Sequence, residues 1–252
     1  MWKKFSSILL TALLCLVCAV ASAQAAEDSA PRATAPQEKP SRIELVMILD
    51  KSGSMHGLEA DTIGGFNAMI EKEKKLGIDV RVTTVLFNDK MDRLYEHREI
   101  RSVRPLTERT YETGGTTALL DAVGDTILHM EQSGAADRQG TKVIVVIITD
   151  GMENASTEFT KAKVKELISD KQEKAGWDFI YLGANIDAVQ VAGGLGIRPE
   201  FAAEFACDAA GVRENFASLG AMILEFSATG VVAPTWSQKI SEHLAQSKDR
   251  RS

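Results

Sequence analysis

The chain has 252 residues, and its 29 lysines and arginines against 35 aspartates and glutamates leave a net charge of −6. An acidic balance of this kind argues against nucleic acid or anionic lipid as the main partner. Of the three cysteines, Cys15 and Cys18 fall in an N-terminal leader-like stretch, so Cys207 alone remains and an intramolecular disulfide is excluded.

Lys3 and Lys4 precede an apolar run from Ile8 to Val20 that closes on Ala21-Ser22-Ala23. This order of charge, apolar run and small residues reads as a secretory signal peptide over residues 1–23. No segment of the mature chain is long and apolar enough to span a bilayer. The protein is therefore expected to be exported, either periplasmic or secreted. Residues 24–41, with Pro31, Pro36 and Pro40 spaced among Ala, Glu and Ser, read as a disordered linker. A single domain is expected over 42–228, followed by a C-terminal tail over 229–252 that holds one short helix.

The domain opens on Ile43–Met55, IELVMILDKSGSM. After Glu44 no polar residue interrupts the apolar run until Asp50, as in a parallel strand buried on both faces. That strand carries Asp50, Ser52 and Ser54 to its carboxyl end, where open α/β sheets hold ligands. A helix-period stripe from Leu58 to Leu76 follows, closed by Gly77. Ile78–Phe87 reads as a second strand, and after the Asn88-Asp89 turn Met91–His97 returns as a charged antiparallel edge strand. Gly114-Gly115-Thr116-Thr117 precedes a helix from Ala118 to about Gln132. Lys142–Thr149, KVIVVIIT, is the most apolar strand and ends in Asp150-Gly151. The remaining elements are a helix over 158–175, a strand Trp177–Leu182, a short Gly-rich helix or loop over 188–196, a weak strand near Glu204–Cys207 and a helix Val212–Phe226. Strands alternating with helices imply a doubly wound, mostly parallel α/β sheet with one antiparallel edge strand and helices on both faces.

In such a sheet the loops after the first strand, around Thr117 and after the apolar strand lie on one edge. Two carboxylates and several hydroxyls meeting there make an oxygen-only pocket suited to a hard divalent cation. DxSxS alone is a weak signal. Combined with GGTTALLDA at 114–122 and ITDG at 148–151, the pattern resembles the von Willebrand factor type A domain and its metal-ion-dependent adhesion site, over roughly Arg42–Phe226.

That resemblance implies a Rossmann-like fold and a metal site made of Asp50, Ser52, Ser54, Thr117 and Asp150. Thr117 is preferred because the family's threonine lies four residues before the Asp of its Asp-Ala pair, here Asp121-Ala122, with Thr116 as the alternative. The implied metal is Mg²⁺, with Mn²⁺ or Ca²⁺ as substitutes. The implied partner is a protein that supplies an Asp or Glu carboxylate to the metal, which makes the chain a binding module and not an enzyme. The alternative reading is a metal-dependent phosphohydrolase using Asp50. Those enzymes need a second carboxylate two residues on, and Ser52 occupies that position.

Away from this pattern, His97, His129 and His243 lack metal-ligand spacing. Glu153 and Asn154 stand beside the site or serve as loop and N-cap residues, and His56 is expected to be exposed near the metal loop. Cys207 is expected to be buried and inert.

Overall fold

The computed structural model describes residues 39–250. The leader and nearly all of the linker expected from the sequence lie outside the described residues. The described residues form six strands: β1 (Arg42–Asp50), β2 (Asp79–Phe87), β3 (Met91–Glu99), β4 (Thr141–Thr149), β5 (Asp178–Ala184) and β6 (Ala202–Phe205). Six helices accompany them: α1 (Glu59–Glu73), α2 (Leu119–Ser133), α3 (Lys161–Lys174), α4 (Ala188–Gly194), α5 (Ala209–Thr229) and α6 (Gln238–Asp249).

The strands form one sheet in the order β3-β2-β1-β4-β5-β6. Only β3 is antiparallel, paired with β2 through two register shifts. Crossovers leave β1 toward β2 in one direction and return to β4 in the other. Right-handed connections therefore place α1 and α2 on opposite faces.

Central position follows from composition. Every residue of β1 from Ile43 to Asp50 is buried, as is β4 from Val143 to Thr149. Each fully buried Val, Leu or Ile contributes about 1.5–3 kcal/mol, so these two strands pin the middle of the sheet. They run side by side, with Leu49 level with Ile148. The strand order reverses at β1, and open α/β sheets hold ligands beyond the carboxyl ends of the strands at such a point.

On one face α5 lies against α1, with Phe216 over Gly65 and edge-on to Phe66 at 6.4 Å between ring centroids. The residues expected as a tail continue this layer. Helix α6 packs on α5 and β6, Ile240 is buried, and the Trp236 indole Nε1 donates to Glu200 O at 2.9 Å.

Several element boundaries differ from the sequence expectation, three of them for a visible reason. Strand β6 ends at Phe205, because Asp208 turns out of the sheet to cap α5, accepting from Gly211 N at 2.8 Å. Helix α5 therefore starts at Ala209 and not at Val212. Helix α1 stops at Glu73, short of Gly77, where the Lys74 ammonium binds Val103 O and Glu71.

Candidate metal-binding site

Three loops meet beyond the ends of β1 and β4, and their backbones are laced together. Lys51 N donates to Phe87 O, Gly53 N to Gly115 O and Gly114 N to Lys51 O, at 2.7, 3.1 and 2.9 Å. Gly115 is required here. Its φ is +74°, and a Cβ would strike the Asp89 carboxylate.

Asp50 is 1 % exposed and held from all sides. Its Oδ1 accepts from Ser52 N at 2.6 Å and its Oδ2 from Thr149 Oγ1 at 2.6 Å. The buried Tyr111 hydroxyl donates to Asp50 O at 2.5 Å. From this base the Ser52 and Ser54 hydroxyls stand 3.1 Å apart, and Ser54 Oγ donates to Asp150 Oδ1 at 2.5 Å. Burial pushes both the Asp50 and Asp150 carboxyls above the ordinary carboxylate range, and on Asp50 the charge of Asp150 adds to the effect.

The two threonines behave differently. Thr116 is exposed, whereas Thr117 is only 3 % exposed. Asn154 grips the Thr117 backbone on both sides, its Oδ1 accepting from Thr117 N at 2.8 Å and its N donating to Thr117 O at 3.0 Å. The Thr117 hydroxyl itself has no hydrogen-bond partner among the described residues. A Cβ on Gly151 would lie 3.2 Å from Ser54 Oγ, 3.2 Å from Thr117 Oγ1 and 3.9 Å from Ser52 Oγ. All three hydroxyls therefore surround one point, beside Asp150, that the missing side chain of Gly151 keeps open.

Glu153, Asn154 and Asp121 hold this arrangement without facing it. Glu153 Oε2 accepts from Leu120 N and Ser156 Oγ, and its Oε1 from Ala155 N and Ser156 N, at 2.7–3.0 Å. Asp121 accepts from the backbone of Thr157, Glu158 and Phe159 at 2.7–3.0 Å. Together they fasten the loop after β4 to the first turn of α2. The sequence carried one hint of this, an acid in a helix first turn. Glu153→Ala is expected to cost about 2 kcal/mol of stability, since several backbone donors lose a charged acceptor. Urea unfolding would measure it.

His56 is exposed and pairs with Glu59. His97, His129 and His243 lie apart, each facing its own carboxylate: Glu44, Glu96 and Asp208. Among the described residues no three His, Cys, Asp or Glu side chains group as metal ligands, so any cation here depends on hydroxyl oxygens. The donor set suits such an ion: two carboxylates and three converging hydroxyls, all oxygen.

The expectation for Cys207 needs correction. It is half-buried, and its Sγ lies 3.8 Å from Asp150 Oδ2. The turn that ends β6 brings it to the site, which no local pattern in the sequence encodes.

Residues 44–196 match the family model of the von Willebrand factor type A domain. No curated protein matches the chain. Among solved structures it is similar to the PilB minor pilin from Streptococcus sanguinis, with a TM-score of 0.54 and 10 % identity, covering 76 % of this chain and 63 % of that one. The vWF domain of the type V pili tip protein Mfa5 from Porphyromonas gingivalis gives 0.52 and 11 %, covering 73 % and 95 %. Proximal thread matrix protein 1 from the mussel byssus, with a zinc-occupied MIDAS motif, gives 0.52 and 12 %, covering 75 % and 47 %. The chain thus spans about half of the mussel protein and under two thirds of the pilin. At these identities the likeness is one of fold.

Proposed function

The chain belongs to the von Willebrand factor type A domain family, and on that premise we propose that it is an exported, metal-dependent protein-binding module. Asp50, Ser52, Ser54, Thr117 and Asp150 would hold Mg²⁺, or Mn²⁺ or Ca²⁺ in its place. The observation that carries this reading is the convergence of three hydroxyls on the open point at Gly151, one of them from Thr117, a residue only 3 % exposed.

When bound, the cation supplies a positive charge that two carboxylates and neutral hydroxyls only partly balance, and so attracts an acidic side chain from another protein. The chain's own residues preorganise for this. Asp50 fixes the loop after β1 through Ser52 N and ties it to Thr149. Asn154 fixes Thr117 from behind, and Glu153 holds Leu120 in the first turn of α2 beside it. Gly151 leaves the space between the hydroxyls empty.

A phosphohydrolase would need Asp50 free to attack. Here both of its oxygens are engaged and the side chain is buried, which favours binding over catalysis. The similarity to pilus and byssal-thread proteins and the leader-like residues 1–23 support action outside the cytoplasm.

A pull-down from envelope extract, with and without EDTA, tests the module. Capture of a protein that is lost with EDTA and with the Ser52→Ala/Ser54→Ala pair is expected. Equal capture in all arms would remove the cation from the account.

A further inference from the structure

Each of the two Asp150 oxygens has its own partner, and the partners come from different strand ends. Oδ1 accepts from Ser54 after β1, inside the hydroxyl cluster. Oδ2 faces the Cys207 thiol after β6, at 3.8 Å. The thiol is itself held in place. Its neighbour Asp208 caps α5 through Gly211 N, and His243 Nε2 and Ser247 Oγ of α6 reach the same carboxylate at 3.2 Å each. Helix α6 thereby anchors the backbone that presents Cys207.

A carboxylate beside a cation is useful only in one rotamer, and a donor on its outer oxygen selects that rotamer. Groups behind a metal ligand commonly shift affinity by about 10–100-fold. A thiol is a weak donor, so its share is smaller.

We propose that Cys207 is a positioning residue for Asp150, its S–H donating to the oxygen turned away from Ser54 so that cation affinity depends on a donor at position 207. The proposal rests on the metal-binding reading above.

The test uses the full chain and Mn²⁺ as probe, with affinity from the EPR signal of the free ion and metal-free melting temperature as a control. Cys207→Ala and Cys207→Val remove the donor, the valine keeping most of the volume. Both are expected to bind Mn²⁺ about 3- to 10-fold more weakly, while their metal-free melting temperatures stay near that of the wild type. Cys207→Ser restores a donor and should return affinity to within about twofold.

Wild-type affinity in either non-donor variant, or failure of serine to rescue, overturns the role of Cys207. If one non-donor variant does not fold, the other and the serine variant still decide. Absence of Mn²⁺ binding in the wild type itself would instead overturn the metal reading, and the proposal with it.

Discussion

Asp50→Ala should abolish the rise in melting temperature that Mg²⁺ or Mn²⁺ gives the wild type. At a cation concentration a hundredfold above the dissociation constant, binding to the folded state alone contributes about 2.7 kcal/mol. For a domain of this size that is a shift of roughly 5–10 °C. Asp50 also receives Ser52 N and Thr149 Oγ1, so the alanine variant will melt lower even without metal. The informative quantity is the difference between melts with and without the cation.

Gly151→Ala separates the two effects. It leaves every candidate donor in place but puts a methyl 3.2 Å from Ser54 Oγ and Thr117 Oγ1, in the space an ion would need. Its metal-free melt should stay close to the wild type, with the cation-dependent shift lost. An undiminished shift in both variants would show that the cation binds elsewhere. Affinity should also fall as pH is lowered, because burial raises the pKa of both Asp50 and Asp150 and protons then compete with the cation.

A second large effect is expected far from the site. Glu73, on the face of α1 turned to α5, is 3 % exposed, and its Oε2 has no hydrogen-bond partner among the described residues. Gly220 of α5 approaches it closely, since a Cβ there would lie 3.4 Å from Glu73 Oε1. Burial, only partly offset by the charge of Lys72, pushes the carboxyl up to about 7, from an ordinary 4.5.

The folded state therefore holds the Glu73 proton over a pH range in which the unfolded chain has lost it. Stability from this group is full below 4.5 and falls as pH rises to about 7. The loss approaches roughly 3 kcal/mol. Glu73→Gln keeps the shape and removes the charge. It should match the wild type near pH 4.5 and exceed it by about 2–3 kcal/mol at pH 8, read from urea unfolding at both values. Equal stability of the two proteins at pH 8 would mean that Glu73 reaches solvent or a partner when ionised.

Much of the fold was legible because its signals are local. Unbroken apolar runs marked β1 and β4 as buried strands, and the charges of Met91–His97 marked an edge. The boundary errors arose where a cap outweighed propensity, as when Asp208 drew the start of α5 forward and cut β6 short.

The sequence by itself determined which loops could form the candidate site, because Asp50, Ser52, Ser54 and Asp150 each follow directly from a buried strand. It could separate Thr117 from Thr116 only through a family spacing. Tertiary structure decided what those residues face. Asn154 turns Thr117 inward from a different loop, Gly151 holds open the space among the hydroxyls, and the turn after β6 sets Cys207 against Asp150. The same packing buries Glu73 beneath α5. Strand identity depends on neighbours along the chain, whereas burial, hydrogen-bond partners and the pKa shifts they cause depend on groups dozens of residues away, brought together only when the sheet is wound.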